Sequence, residues 1–551
     1  MTTPDLILAN GRIATLATDP AQPQTVSALA VRNGRVMAIG AVDELPAAGP
    51  ETIVRDLGGR TVVPGLIDSH VHFVRAGRTW NDEVRWESVF SLADALASLA
   101  RRAQETPAGR WIRVIGGWDE NQFAEGRGPT REELDAAAPR HPVYVQMQYT
   151  YVQLNSLGMR DLGLLGDGAE ERVRTSEYPE GFARDARGVL TGRAGGHTLM
   201  TWFYRQLPMP TLEEQTAGTI ALSREFARLG MTGAIDGGGM SMSPDAYRAI
   251  ARAHRAGGLK TKLRLFKHAT RPGTETEDFA GYYRFDTPGF GDDMLRFSGI
   301  GEIIMYRSHD RISAPADYSD EAMAENKAVM MEAAEHGWPV QVHAHQREFM
   351  DKVMQAWEEI DAVHPIKDLR WGFVHGELLR GGDAERLKRL GAGALFQSLL
   401  RLNGESAVAA WGADVVARSP ELNLLWDAGV PIGLGSDAMR VASYNPWTSL
   451  QWFVTGRTVR GGRTLADEHL LSRERALRGY TQGGAWFTFE EDVRGQLTPG
   501  FAADVAVLTD DYFTVPEDEI QHLASAMTLV DGEVVHDDGS VAGKSSPPEG
   551  H

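Results

Sequence analysis

A small set of histidines and carboxylates in this sequence has the types and spacing to hold a metal ion and use it. His70 and His72 close the run V-V-P-G-L-I-D-S-H-V-H-F, residues 62–73. In an extended chain, residues two apart face the same side. Both imidazoles can therefore reach one ion, and imidazole nitrogen is a ligand that zinc and its neighbours favour. His343 and His345 repeat the spacing in V-H-A-H-Q. His343 ends an apolar run and is the better ligand, whereas His345 is placed to touch a substrate. His375 ends F-V-H, and Glu377 beside it is read as a supporting or solvent-facing group. Asp437, in G-L-G-S-D-A, stands where a base would act, although aspartate there can also cap a helix. Glu302 interrupts the apolar G-I-G-E-I-I-M-Y, where a carboxylate is costly to bury unless it is paired or metal-bound. A divalent ion held by neutral histidines, with one position open, brings the pKa of its water to about 7. The resulting hydroxide attacks a carbonyl or similar carbon, and a nearby carboxylate carries the proton to the leaving group.

These residues need elements that bring them together. Eight stretches read as strands: the one from Val62, then 231–236, 259–266, 297–306, 338–343, 370–375, 391–397 and 430–437. Helical stretches lie between several of them, such as 322–337, which closes on a glycine. Strands alternating with helices predict a parallel sheet, and eight such units predict a closed (β/α)8 barrel, whose active site lies at the C-terminal strand ends. The candidate histidines and Asp437 all fall at such ends. The gap between the first two strands is far longer than one unit needs, so an inserted subdomain is expected at about 75–215. It should hold helices at 92–105 and 131–137, a strand at 141–149 and a loop-like part at 160–195. Both chain ends are β-rich, with Asn10-Gly11, Asn33-Gly34 and Asp531-Gly532 as hairpin signals. One small β domain built from both termini is expected, with boundaries 1–60 plus 480–545, around a barrel at 61–479. The tail from 543 is expected to be disordered.

The chain has 551 residues, no cysteine and a formal net charge of −19. Thiolate ligands and disulfides are thereby excluded, and the acidic balance argues against a nucleic-acid or anionic-membrane partner. The N-terminus lacks a basic segment followed by a long apolar one, and no apolar run reaches 18 residues, so neither a secretory signal nor a membrane span is expected and the expected location is the cytoplasm.

The chain resembles the amidohydrolase superfamily, in its amidohydrolase-3 branch, which includes N-substituted formamide deformylase-like enzymes. The likeness runs from D-L-I-L-A-N-G-R-I through V-V-P-G-L-I-D-S-H-V-H-F, G-G-W-D-E-N-Q-F, V-H-A-H, V-H-G-E and G-S-D-A to L-T-P-G-F-A-A-D-V-A-V-L. It implies a distorted α/β TIM barrel with a small β-sandwich formed from both termini. It implies hydrolysis of amide-type C–N bonds in small organic molecules, with His70, His72, His343 and His375 as metal ligands and Asp437 as a further ligand, general base and then acid. The cofactor is one or two divalent metals, zinc first, with manganese or iron as alternatives, and a homodimer is expected. Many relatives carry a carboxylated lysine on the fourth strand, and Glu302 stands at the best-aligned position here. Other departures are Y-R-S-H-D after that strand, A-H-Q-R after His343, and Y-T-Y-V-Q-L-N-S. They leave metal number and substrate open, and leave room for a lyase, isomerase, decarboxylase or oxygenation reaction on the same metal site. A non-catalytic metabolite binder would need missing ligands. Trp118, Tyr149, Tyr151, Arg307, His309 and His345 are the expected substrate contacts.

Overall fold

The computed structural model describes residues 3–239 and 242–544. All eight expected strands form: β1 (Leu66–Val71), β2 (Met231–Asp236), β3 (Lys262–Lys267), β4 (Leu295–Ile300), β5 (Gln341–Ala344), β6 (Gly372–His375), β7 (Gly393–Gln397) and β8 (Ile432–Gly435). They make two four-stranded parallel sheets, β4-β3-β2-β1 and β5-β6-β7-β8. At one seam, a parallel bridge joins Ile300 to Val340. At the other, the Asp437 amide donates to the His70 carbonyl at 2.8 Å, and the His72 amide donates to the Ala438 carbonyl at 3.0 Å. This mixed α/β arrangement of parallel sheets is consistent with a TIM-like barrel. β1, β2, β6, β7 and β8 are buried throughout, which is why they read as largely apolar runs; β3 is buried too but intersperses Lys262, Arg264 and Lys267 with apolar residues, and β4 is buried only in its second half. Helices such as Asp320–Glu335 and Arg347–Asp361 bury apolar residues against them, among them Met330, Phe349 and Trp357.

The run at 62–73 is two strands, not one. Thr61–Pro64 pairs with Val505–Leu508 and Arg12–Ala14, while β1 pairs with β2. Gly65 makes the break possible, because a Cβ there would lie 2.2 Å from Thr232 Cγ2. Asn10-Gly11 likewise does not form a hairpin. Leu6–Ala9 and Arg12–Ala14 lie in different sheets, so the turn passes the chain between sheets. Asn33-Gly34 and Asp531-Gly532 do close hairpins, with both residues of each pair at positive φ. Two sheets, of five and six strands, each combine segments from both chain ends. The helical segment 479–487 packs on β1 and β8 rather than in those sheets. Gly543 and Lys544, expected to begin the disordered tail, belong to a strand paired with Ile53–Asp56; residues 545–551 lie outside the described residues.

Between β1 and β2, a six-stranded mixed sheet spans residues 83–195. The helices Leu92–Glu105 and Arg131–Ala137 and the strand Val143–Met147 form as expected. The stretch 160–195 is not a loop: it holds the helix Ala169–Arg174 and the strands Phe182–Arg184 and Leu190–Gly195. Its sparse apolar residues, Leu164, Val173, Phe182 and Leu190, all point into one small core, and their wide spacing concealed any period. No helix among the described residues is long and apolar enough to cross a membrane.

Candidate metal centre

His70 lies within β1, with His72 just beyond its end; His343 lies in β5 and His375 at the end of β6. Glu302 is not inside a strand. It follows β4 by two residues, where its amide donates to the Gly237 carbonyl at 3.1 Å and its carbonyl accepts from the His343 amide at 3.1 Å. This places the carboxylate at the centre of the histidines. Glu302 Oε2 lies 3.5 Å from His70 Nε2, 3.2 Å from His343 Nδ1 and 3.4 Å from His375 Nε2, and Oε1 lies 3.5 Å from His72 Nε2. Asp437, two residues past β8, is 3.0 Å from His72 Nε2 and 3.7 Å from His70 Nε2. Ligand atoms bound tetrahedrally to one ion at about 2.1 Å are about 3.4 Å apart, so these separations match edges of a coordination shell. His375 and Asp437 adopt φ of 72° and 58°, a conformation uncommon outside glycine and concentrated at functional sites.

Hydrogen bonds on the far side of three of the four rings select the nitrogen that faces the centre. His72 Nδ1 donates to the Gly238 carbonyl at 2.8 Å, His375 Nδ1 to Gln397 Oε1 at 2.7 Å, and His343 Nε2 to the Asp310 carbonyl at 3.0 Å. His70 has no hydrogen-bond partner on either ring nitrogen among the described residues, although it is fully buried. An orphaned buried imidazole facing two carboxylates fits a ligand waiting for an ion. Burial pushes the Glu302 carboxyl up, but the facing imidazoles of His343, His375 and His70 outweigh it and hold the carboxyl well below its usual range. Asp437 is also held down, with burial opposed by His72 and His375.

His345 lines the cavity, where a substrate contact was expected, and also sits among ligand-type nitrogens. Its ligand-type nitrogen groups with those of His343 and His375, all within 4.8 Å of one another, beside the second group of His70, His72 and Glu302. Its Nδ1 pairs with the buried Glu377 at 2.8 Å, so Glu377 does not face solvent. Asp310 was missed by the sequence reading. Its carboxylate accepts from the His345 and Gln346 amides and from Tyr318, and lies 3.3 Å from His343 Nε2. The D-G-G-G run at 236–239 was missed too. A Cβ on Gly237 would sit 2.3 Å from His70 Cε1, and one on Gly238 would sit 2.3 Å from His268 Nδ1. Asp236 caps the turn, accepting from the Val74 and Gly238 amides.

The centre opens into a cavity of about 430 Å³ lined by Arg75, Tyr149, His309, Arg311, Leu399 and others beside the ligand set. Tyr149 and His309 are thus where the sequence reading expected substrate contacts, and the His309 ring lies 3.9 Å from that of His343. Three expected contacts lie elsewhere. Trp118 is buried against Trp86 and Phe123 and donates to the Gln146 carbonyl. Tyr151 is held by Glu120 and lies under Arg193. Arg307 faces outward to Asp317, Glu321 and Glu325. Trp118 lies in a loop, Arg307 in a 3-10 turn and Tyr151 in a strand of the inserted sheet, so nearness in sequence to a motif did not bring any of them to the cavity.

A model of the amidohydrolase family matches residues 54–536. The chain belongs to the amidohydrolase family and is a hydrolytic enzyme. It is similar to the N-substituted formamide deformylase of Arthrobacter pascens, 24% identical over 96% of this chain and 97% of that protein. Its fold is similar to that of an uncharacterized metal-dependent hydrolase from Pyrococcus horikoshii, with a TM-score of 0.65 and 22% identity over 93% of this chain and 99% of that one. It is also similar in fold to atrazine chlorohydrolase TrzN from Arthrobacter aurescens, solved with zinc, with a TM-score of 0.53 and 14% identity over 97% and 95% of the two chains.

Proposed function

We propose that this amidohydrolase cleaves an amide-type C–N bond of a small organic molecule, using one or two divalent ions, zinc first. The carrying observation is the Glu302 carboxylate set among His70, His72, His343 and His375, with Asp437 at 3.0 Å from His72 and a cavity in front. These four histidines, Glu302 and Asp437 would hold the metal, and His345 is placed to join a second ion. When bound, the metal supplies an acidified water and polarises the scissile carbonyl. With the metal bound, Asp437 would take up the proton released there and hand it to the leaving nitrogen. Glu302 offers oxygen ligands in place of a carboxylated lysine. Gln397 and the Asp310 and Gly238 carbonyls keep the imidazoles of His375, His343 and His72 in their binding tautomers. Tyr149 and His309 line the substrate space. The eight strands are read as closing into a distorted barrel, and the two terminal sheets as packing into a sandwich. The segment 479–487 is counted with the barrel and the 83–206 region as its insertion.

Metal analysis and reactivation test this together. Chelation and dialysis should abolish hydrolysis of amide substrates, and Zn²⁺, Mn²⁺ or Co²⁺ should restore it. Full activity in rigorously metal-free protein would overturn the proposal.

A further inference from the structure

Arg75 lies in the short helix Phe73–Gly77, directly after the His70-His72 pair. It is 5% exposed, yet it lines the cavity. Its Nη1 donates to the Tyr149 hydroxyl at 3.2 Å, and no carboxylate among the described residues forms an ion pair with it within 4.0 Å. The site's own carboxylates are already engaged: Glu302 and Asp437 with the histidines, and Asp310 with two backbone amides, Tyr318 and His343. The guanidinium is also close to the reacting centre. A Cβ on Gly239 would lie 3.1 Å from Arg75 Nη1 and 3.4 Å from His72 Nδ1. Arg311, exposed at the cavity mouth, likewise has no carboxylate partner among the described residues.

Asp236 feels the Arg75 charge, but its two oxygens accept from the Val74 and Gly238 amides; a buried guanidinium with no ion-paired carboxylate is costly, and its planar fork matches one. We propose that Arg75 binds the carboxylate of the substrate, which makes the substrate an anionic amide of the N-acyl amino acid type, with Arg311 assisting at the mouth. This rests on the amide-hydrolase reading for its chemistry, but its test does not.

The test uses the metal-loaded enzyme and paired probes: N-formyl and N-acetyl derivatives of glycine, leucine and phenylalanine, each as free acid and as methyl ester. Binding is measured by calorimetry and hydrolysis by product analysis. At least one acid should bind about 10- to 100-fold more tightly than its ester, the range of a buried charge-assisted pair. Arg75→Met should remove that preference while leaving ester affinity and metal content unchanged, and Arg75→Lys should keep part of it. Equal affinity for acid and ester across the panel overturns the proposal, and this comparison needs no variant. A preference that survives in folded Arg75→Met overturns it as well, because the carboxylate then binds elsewhere. Acid-selective binding lost in Arg75→Met, without hydrolysis of any probe, supports the Arg75 assignment and counts against amide hydrolysis.

Discussion

Glu302 and Asp437 divide the work of the centre by position. Glu302 Oε2 lies 3.2–3.5 Å from His70, His343 and His375, whereas the nearest imidazole to Asp437 is His72 at 3.0 Å. Their variants should therefore separate. Asp437→Asn removes the proton acceptor and nearly keeps the shape, so kcat should fall at least ~10²-fold, with metal content little changed. Near-normal turnover would move the base elsewhere. Glu302→Gln weakens the ligand shared between the two histidine groups. Elemental analysis should then show a lower metal-to-protein ratio, and activity should fall with it. An unchanged ratio in folded protein would remove Glu302 from the ligands and leave a site built on the histidines and Asp437.

At the scale of elements, the centre depends on backbones that approach unusually closely. The strand β2 ends in Asp236, and the three glycines that follow pass beneath His70, His268 and the Arg75–His72 pair. Gly237 has no left-handed φ to explain it; the reason is space, since its Cβ would meet His70. Gly237→Ala should displace that imidazole. Metal content should drop and activity should fall at least ~10-fold, in line with losses on disturbing a ligand's support. The accompanying overpacking cost is about 1–3 kcal/mol, small enough for the fold to survive. Normal metal content and rate in that variant would show that the tract is not needed for ligand placement. The inserted sheet contributes through its loop Gln148–Thr150, which reaches the cavity, and Gly117 donates to the Arg440 carbonyl beyond β8 at 3.0 Å.

Across the whole molecule, a buried ionic chain links the parallel strands to the sheets built from the chain ends. On β3, Lys262 meets Asp504 at 3.2 Å and Arg264 meets Glu490 at 2.6 Å, and Arg494 joins the two acids at 2.8 and 3.4 Å. Asp504 immediately precedes the strand Val505–Leu508. Removing one partner leaves buried charge uncompensated, so Asp504→Asn should cost about 3–5 kcal/mol in denaturant unfolding. Acid should act on the same chain. Burial raises the Glu490 carboxyl, but Arg494 and Arg264 more than offset this and bring it from 4.5 to about 2. Its folded pKa is the lower one, so its contribution, roughly 3 kcal/mol, is fully present above about 4.5 and is lost as pH falls toward 2. Glu490→Gln should flatten the acid side of the stability profile, and an unaltered profile would show that the pair adds nothing there.

Much of the site was legible because alternation along one strand is a local property. His70 with His72, and the strand-end placement of His343, His375 and Asp437, follow from apolar runs of strand length that stop at a polar ligand. The eight strands and the Asn33-Gly34 hairpin follow from equally local signals. What the chain's local pattern does not encode is which segments share a sheet and how far each strand runs past its last bond. Tertiary pairing split residues 62–73 between two sheets and sent the strands flanking Asn10-Gly11 to separate ones. It turned a charged break in an apolar run into a carboxylate centred among imidazoles, because β4 ends before Glu302 rather than after it. It also gathered His345, Asp310 and Arg75 around the cavity and left Trp118, Tyr151 and Arg307 outside. Convergence of side chains from separate strands is set by sheet register and by glycine-permitted close approach, and neither can be read from one segment alone.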